Sequence, residues 1–244
     1  MTINAKGVYY RQLNEMVRDA IAAGDDDIVL DNVNGQRYLA DGLRSKTRIT
    51  INGVPGNDLA AFMDGPTLIV NGNAQDGVAN TMNDGKIVVR GHAGDVLGYG
   101  MRGGRLYIKG DVGYRVGIHM KGYKDQIPVI VAGGTAGDFF GEYMAGGILV
   151  LLGIGRAKDA PIAGGYLGTG MHGGVMYIRG EVDPADCGAE VGILEPDEDE
   201  MEILSKYVRE YCEDTGHDFE QVMKEKFIKI YPKSSRPYGR LYAY

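Results

Sequence analysis

Cysteine, serine and long apolar runs are scarce in this chain, and each scarcity excludes a class of protein. Two cysteines, Cys187 and Cys212, cannot form a disulfide scaffold or a zinc ligand set. None of the four serines lies in a G-x-S-x-G motif, which disfavours a serine hydrolase. The longest apolar run, residues 148–152, is far shorter than a membrane span of about 20 residues, and the N-terminus has no apolar signal core. We therefore expect a reduced, cytoplasmic protein.

Positive charge is also in short supply. The chain has 26 basic and 33 acidic residues, for a formal net charge of -7. An acidic surface repels nucleic acids and anionic membranes, so neither is an expected partner. Glycine is abundant instead, with 39 residues in 244, against about 17 at its usual share of ~7%. Because 44% of the residues are apolar, these glycines belong to a folded chain and not to a flexible linker.

A repeat anchored on glycine organises the middle of the chain. The spacings between the anchors are 19, 19, 19, 23, 20 and 27 residues, and the anchors are Gly53, Gly72, Gly91, Gly110, Gly133, Gly153 and Gly180. A methionine stands nine residues before most anchors: Met63, Met82, Met101, Met144 and Met171. Met120 joins this set if a four-residue insertion near residues 122–125 is allowed.

Each anchor glycine follows a short segment of apolar, largely β-branched or aromatic residues, which predicts a strand. The predicted strands are 48–51, 67–70, 86–89, 105–108, 128–131, 148–151 and 175–178. The residues two and four positions before each glycine are apolar in every copy. Since side chains alternate along a strand, both residues should face the interior.

A 19-residue unit with one strand cannot bury its own apolar face, so successive units must stack. The predicted fold class is all-β: a right-handed parallel β-helix of about seven coils, with the methionines as a ladder in its core. The six-residue period of left-handed β-helices fails, because Asp76 and Met82 lie six and twelve residues after Val70. The longer units predict insertion loops at 121–127 and 156–166.

The flanks of the repeat differ from it. An amphipathic pattern predicts a helix over Tyr10–Ala23, followed by an imperfect first coil over residues 28–43. After Gly192 the glycines thin out. This change divides the chain into an N-terminal helix with the β-helix (1–192) and a helical, aromatic C-terminal tail (193–244), which packs on the β-helix or on a partner.

Within the tail, Pro196 followed by four acidic residues predicts a helix start, since acids favour the positive end of the helix dipole. A second helix is predicted over residues 218–226 and a strand over 227–230. The chain ends with three tyrosines that should pack on the β-helix or on a partner: Tyr238, Tyr242 and Tyr244.

Two stretches, 98–103 and 168–173, match the dinucleotide-binding pattern G-x-G-x-x-G. In a dinucleotide-binding fold this pattern follows a strand and opens a helix. Here a predicted strand comes after it, and both copies fall at the same phase of the repeat. We interpret them as corner glycines.

No set of residues predicts a catalytic, cofactor-binding or metal site. The histidines lack metal-ligand spacing along a helix: His92, His119, His172 and His217. Three aspartates that follow glycines fall at different coil phases, so they should not form a calcium cluster: Asp95, Asp111 and Asp138. The best candidate for a surface site is the charged group of Arg156, Lys158 and Asp159 in the second insertion, but a solvated loop is the favoured interpretation, because isolated surface charges seldom mark sites.

Together these coils resemble the β-helix at the C-terminal end of the large subunit of glutamate synthase, known as the GXGXG domain. The resemblance covers nearly the whole chain and is strongest from Asp84 to Gly180, beginning with Asp-Gly-Lys-Ile-Val-Val-Arg-Gly-His-Ala-Gly-Asp. In the tail it continues through Glu-Ile-Leu-Ser-Lys-Tyr-Val from Glu202, then Thr215-Gly216, then Phe-Ile-Lys-Ile-Tyr-Pro from Phe227. Residues 34–39 match only loosely.

The resemblance implies a non-catalytic structural subunit for glutamate biosynthesis. In glutamate synthase a glutaminase module releases ammonia, and a barrel module with FMN and an iron–sulfur cluster uses it. The β-helix braces both. This chain has no N-terminal cysteine nucleophile and no cysteine set for a cluster. It should therefore hold no cofactor itself and act within a glutamate synthase (oxidoreductase) complex. Its implied partners are a glutaminase-type amidotransferase subunit and an FMN/iron–sulfur synthase subunit, with self-association also allowed.

Two alternatives stay open. The coils also resemble the non-catalytic β-helical subunit of formylmethanofuran dehydrogenase, another redox complex. The chain could instead be a stand-alone enzyme with a site on one β-helix face, within the loops at 121–127 or 156–166. A scaffold binds partner chains and shows no turnover alone, whereas an enzyme has a deep pocket with convergent polar groups and shifted pKa values.

Overall fold

The coil repeat produces a single long sheet. A computed structural model describes residues 1–235. Within them eleven strands form one sheet, in which β1 to β9 pair in parallel and β11 lies antiparallel between β9 and β10. The strands are β1 (Thr2–Asn4), β2 (Asp27–Asn34), β3 (Arg48–Val54), β4 (Asp64–Asn71), β5 (Asp84–Val89), β6 (Arg105–Ile108), β7 (Val129–Ala132), β8 (Ala145–Leu151), β9 (Gly173–Arg179), β10 (Val191–Leu194) and β11 (Phe227–Pro232).

The predicted parallel β-helix is confirmed. Strands β3 to β9 correspond to the seven predicted segments, and β2 adds the imperfect first coil. Equivalent residues pair across successive strands with offsets of 19, 19, 19, 24, 19 and 27, as in the series Ile51, Val70, Val89, Ile108, Ala132, Leu151 and Ile178.

One predicted anchor is wrong by one residue. Gly134, and not Gly133, stacks between its equivalents: its N–H donates to Gly110 O (2.9 Å), and its carbonyl accepts from Gly153 N (3.0 Å). The first insertion therefore has five residues rather than four. The error arose because two glycines are adjacent here.

Because of this one-residue error, the predicted inward and outward faces of β7 are also reversed. Ile130 and Ala132 belong to the interior cluster, whereas Val129 and Val131 face outward. Every residue of β7 is apolar and buried, so the strand gives no alternation from which to choose a face.

The methionine ladder is confirmed as core. All six methionines of the ladder have no exposed surface, and they pack with the inward residues of the strands in one continuous cluster. Because methionine is unbranched and flexible, it fills the space where each coil turns. The interior is thereby filled from one end of the stack to the other.

A left-handed backbone pattern precedes each core methionine. The residues five, three and one before it all have positive φ, as at Val96 (60°), Gly98 (64°) and Gly100 (56°) before Met101. The pattern recurs in seven coils, the first around Leu43. We call the surface of these segments the corner face: residues 37–44, 57–64, 76–83, 95–102, 114–121, 138–145 and 165–172.

The tail covers the outer side of the sheet. Helix α2 (Glu198–Thr215) packs Leu204, Val208 and Tyr211 onto a second apolar cluster that includes Tyr107 and Tyr177. The sequence signal was present, because the residue three before most anchor glycines is also apolar. Strands buried on both faces show such continuous apolar runs.

The helices begin near their predicted positions. Helix α1 (Tyr10–Ala22) ends one residue early, and α2 begins after the cap Asp197, whose side chain accepts from Glu200 N while Glu200 accepts from Asp197 N. Helix α3 (Phe219–Met223) is shorter than predicted.

Strands β1 and β10 were not predicted. The predicted boundary between the β-helix and the tail falls inside β10, between Gly192 and Ile193. Tyr238, Tyr242 and Tyr244 lie outside the described residues.

Candidate functional site

Side-chain acceptors join successive coils along one edge of the β-helix. Asn73 Oδ1 accepts from His92 N (2.9 Å), His92 Nδ1 accepts from Asp111 N (2.9 Å), and Asp111 Oδ1 accepts from Thr135 N (2.7 Å). The backbone hydrogen bond from Thr135 lowers the pKa of Asp111. Because His92 uses Nδ1 as an acceptor, the neutral ring carries its proton on Nε2. These groups bind the neighbouring coil.

A second ladder runs parallel to the first. Asp76 Oδ1 accepts from Asp95 N (2.9 Å) and Asp95 Oδ1 accepts from Tyr114 N (2.8 Å). Asp138 Oδ1 accepts from Gly165 N (3.0 Å). The shifted anchor puts Asp95 and Asp138 at the same phase, contrary to the prediction that all three aspartates differ. Within residues 1–235, no three His, Cys, Asp or Glu residues are placed to hold a metal ion.

Both G-x-G-x-x-G stretches are corner glycines, as interpreted. Gly98 and Gly168 have φ of 64° and 65°, and a Cβ added to them would collide with core side chains, Ile130 in the first case. Strands β6 and β9 follow them, not helices. Alanine adopts the same conformation at the equivalent Ala60 and Ala79, so these glycines are needed mainly for close packing.

The predicted charged group does line a cleft. Arg156, Lys158 and Asp159 border a space of about 520 Å³ beside the end of the sheet, together with Glu181 and Glu225. Arg156 Nη1 donates to Ala160 O (2.8 Å), which holds its own loop. The sequence did not connect Glu225 to this place, because the antiparallel return of β11 was not predicted.

Two ion pairs close the rim of that cleft. Arg179 binds Glu225 at 2.9 Å, and Lys226 binds Glu181 at 3.1 Å. These two pairs fasten the chain that follows α3 to the last coil. Such part-exposed pairs contribute little stability each.

The first insertion folds into a tight turn. Tyr123 and Gln126 exchange backbone hydrogen bonds of 3.2 and 3.0 Å. Behind the turn, the guanidinium of Arg105 lies 4.8 Å from the ring centre of Tyr207 on α2. The loop therefore lies beside the contact between the sheet and the tail.

The four histidines occupy separate environments. His119 stacks on Tyr143 with ring centres 5.4 Å apart, and His172 Nδ1 lies 3.1 Å from Gly170 O. His217 stacks on Tyr211, its Nε2 is buried without a hydrogen bond, and burial lowers its pKa. His92 belongs to the acceptor ladder described above. The four histidines therefore do not form a common site.

Exposed aromatic side chains concentrate on the corner face, which was not predicted from the sequence. They include Tyr38, Phe62, Tyr99, Tyr114 and Tyr166, between 37% and 60% exposed. The rings of Phe139 and Tyr166 stack at 4.9 Å, and Arg115 lies 4.4 Å over Phe139 while binding Glu142 at 2.9 Å. For Phe62 and Tyr166 the available signal was an aromatic residue at a repeat phase where another coil has glycine.

Comparison with known proteins agrees with this architecture. A family model described as GXGXG motif matches residues 27–234. A similar sequence is an uncharacterized protein of Methanocaldococcus jannaschii (strain ATCC 43067 / DSM 2661 / JAL-1 / JCM 10045 / NBRC 100440), 47% identical over 253 residues, covering 99% of this chain and 96% of that protein. In residues 1–235 we find no helix with the length and apolar character needed to cross a membrane. The match over most of its length places the chain in the GXGXG motif family, the family of the C-terminal domain of the glutamate synthase large subunit.

Proposed function

We propose that this chain is a non-catalytic scaffold subunit that docks a glutaminase-type subunit and an FMN/iron–sulfur synthase subunit in a glutamate synthase-type complex. The family match over residues 27–234 supports the type of complex. One structural observation supports the scaffold role: polar side chains such as Asn73, His92 and Asp95 bind the backbone of the next coil.

A rigid stack suits this task. Seven coils spaced by about 4.8 Å give a rod roughly 34 Å long. Its interior is continuous and apolar, so it resists bending. Ammonia released by one subunit must reach another before it escapes. A spacer of fixed length would hold the two reacting subunits in register for that transfer.

Co-purification from the source cell tests the proposal. The tagged chain is recovered under mild conditions, and bound chains and cofactors are identified by mass spectrometry and absorbance. Recovery of a glutaminase-like chain and a flavin-containing, iron–sulfur chain is the expected result. Recovery of molybdopterin or tungstopterin subunits would instead assign the chain to the formylmethanofuran dehydrogenase group. A chain that binds no other subunit but turns over a substrate would overturn the scaffold role.

A further inference from the structure

A pocket of about 750 Å³ opens at the N-terminal end of the stack of coils. Its walls are residues 6–10, between β1 and α1, and residues 32–37, at the end of β2 and in the loop that follows it. The next coil stacks on this loop from one side, where Gly56 N donates to Gln36 O (2.8 Å). The pocket therefore belongs to the first coil, and its volume lies within the range of about 300–1,000 Å³ that is usual for small-molecule sites.

A buried glutamine joins the two walls of this pocket. The side chain of Gln36 belongs to a residue that is 8% exposed, and its Nε2 donates to Ala5 O (2.9 Å) and Val8 O (3.1 Å). Its Oε1 accepts from Asn34 N (2.7 Å). Both ends of the amide are therefore used to hold one wall against the other. A pocket with walls fixed in this way is already formed before a ligand binds, so binding needs little further ordering of the chain.

Arg37 is positioned at the pocket from two directions. Asn14 Nδ2 on α1 donates to Arg37 O (3.1 Å) and to Tyr10 O (2.9 Å), which fixes the backbone. The Arg37 guanidinium lies 5.5 Å from the ring centre of Tyr10 and 5.9 Å from that of Tyr38, and both contacts attract a cation. Among residues 1–235, Arg37 makes no ion pair. Its positive charge is therefore held in place but not neutralised by a carboxylate.

The pocket is positively charged in a chain that is acidic overall. Lys6 and Arg37 line it, no carboxylate does, and acids outnumber bases by 33 to 26 in the whole sequence. Lys6 also makes no ion pair in the part of the chain that the structure describes. The hydrogen bond from Arg11 Nε to the Tyr10 hydroxyl (3.2 Å) is the main cause of a lowered pKa at Tyr10, and the charge of Arg37 adds to it. These observations favour an anion as the ligand.

An aromatic ring is exposed beside these cations. Tyr9 lines the pocket and is 62% exposed, and its ring centre lies 4.6 Å from that of Tyr10. The contact with Tyr10 limits the movement of the ring, while most of its surface faces solvent. Every nucleobase has a flat π-surface that stacks on such a ring. The pocket therefore combines donors for an anion with a surface for a planar ring.

We propose that this pocket binds a nucleoside phosphate, with the phosphate on Arg37 and Lys6 and the base stacked on Tyr9. The planar guanidinium of arginine donates two parallel hydrogen bonds to phosphate oxygens, and a lysine adds a compact positive charge. The aromatic ring binds the other end of the same molecule. This ligand site does not rest on the proposed scaffold function, because it involves neither a partner subunit nor the transfer of ammonia.

Isothermal titration calorimetry with AMP tests the site, and ribose 5-phosphate is the probe that lacks the base. We expect AMP to bind more tightly than ribose 5-phosphate. Arg37→Gln should raise the dissociation constants of both probes by about tenfold to a hundredfold, and Arg37→Lys, which keeps the charge but not the paired donors, should have a smaller effect. Tyr9→Ala should weaken the binding of AMP by about tenfold and change that of ribose 5-phosphate little. Arg102→Gln, the same change at an exposed arginine outside the pocket, is the matched control and should have no effect.

Several results would overturn the inference. The native chain could fail to bind AMP at about 10 mM, which is weaker than any useful site. Arg37→Gln and Arg102→Gln could weaken AMP equally, which would indicate unspecific attraction, or AMP and ribose 5-phosphate could bind equally well, which would exclude a site for the base. Finally, Arg37→Gln could abolish binding of a protein subunit to a chain that does not bind AMP. The pocket would then hold an acidic segment of that partner, and the proposed scaffold function would stand.

Discussion

At the scale of single residues, the core methionines decide whether the coils can stack. Met101 has no exposed surface, so Met101→Asp would bury a carboxylate without a partner, at a cost of several kcal/mol. We expect this variant, and Met144→Asp, to be unfolded by circular dichroism. Met101→Leu conserves volume and polarity and should fold with a melting temperature close to the native value. A folded Met101→Asp chain with unchanged melting would contradict the core assignment.

Asp41 gives the fold a pH dependence. Its carboxylate accepts from Ala61 N (2.9 Å), and burial raises its pKa to about 7. The unfolded value is near 3.9, so the folded state binds more protons between these values. This contribution to stability is therefore largest below pH ~4, falls as the pH rises through about 7, and then levels off.

Asp41→Asn tests that dependence, because it removes the charge and keeps the acceptor oxygen for Ala61. The side chain is partly exposed, so screening reduces the effect, and we expect a gain of roughly 1–2 kcal/mol at pH 8 and little difference near pH 4. Thermal unfolding at the two pH values measures it. Asp19→Asn on the exposed side of α1 is the control. An equal effect of Asp41→Asn at both pH values would rule out this cause.

At the scale of elements, α2 covers the outer side of the sheet. Leu204 has no exposed surface, whereas its neighbour Ile203 is 45% exposed. We expect Leu204→Ala to lower the free energy of unfolding by about 2–4 kcal/mol. Ile203→Ala should change it by less than about 0.5 kcal/mol. Denaturant titration compares the two, and similar losses would show that α2 does not pack on the sheet as described.

Polar contacts fix the position of α2 on the sheet. Tyr107 on β6 donates to Glu210 (2.5 Å), and Lys86 on β5 binds Asp214 (2.5 Å). Burial, together with this hydrogen bond, raises the pKa of Tyr107 well above its usual range. The hydroxyl therefore remains a donor at any physiological pH. Directional bonds of this kind set the register of a helix on a sheet, which apolar contacts alone leave loose.

The coil strands could be predicted from the sequence, but the antiparallel strands that end the sheet could not. The 19-residue period and the alternating apolar residues located β3 to β6 and β8 to β9, because a stacked coil repeats its physical environment. In β7 the alternation is absent, and the sequence pattern points to Gly133 as the anchor glycine in place of Gly134. The antiparallel pair of β10 and β11 depends on a contact between chain segments far apart in sequence, for which the repeat gives no signal.

At the scale of the whole molecule, the repeat predicted some candidate sites, and others required the three-dimensional structure. The corner-glycine interpretation of residues 98–103 followed from the repeat phase alone. The aromatic corner face did not, since a residue such as Tyr166 looks like a loop residue until the coil phases are aligned. The cleft at Arg156 required the return of β11. Sequence therefore predicted the stack of coils, while the corner face emerged from the alignment of the coil phases and the cleft from the contact between the last coil and the tail.

Reconstitution with purified subunits tests the scaffold role most directly. Glutamine-dependent glutamate synthesis would be measured with the glutaminase-type and synthase-type subunits, with and without this chain, and with ammonia supplied in place of glutamine. We predict that omitting the chain strongly lowers the glutamine-dependent rate, leaves the ammonia-dependent rate nearly unchanged, and that the chain alone shows no turnover. Equal glutamine-dependent rates with and without the chain would contradict its role as the scaffold.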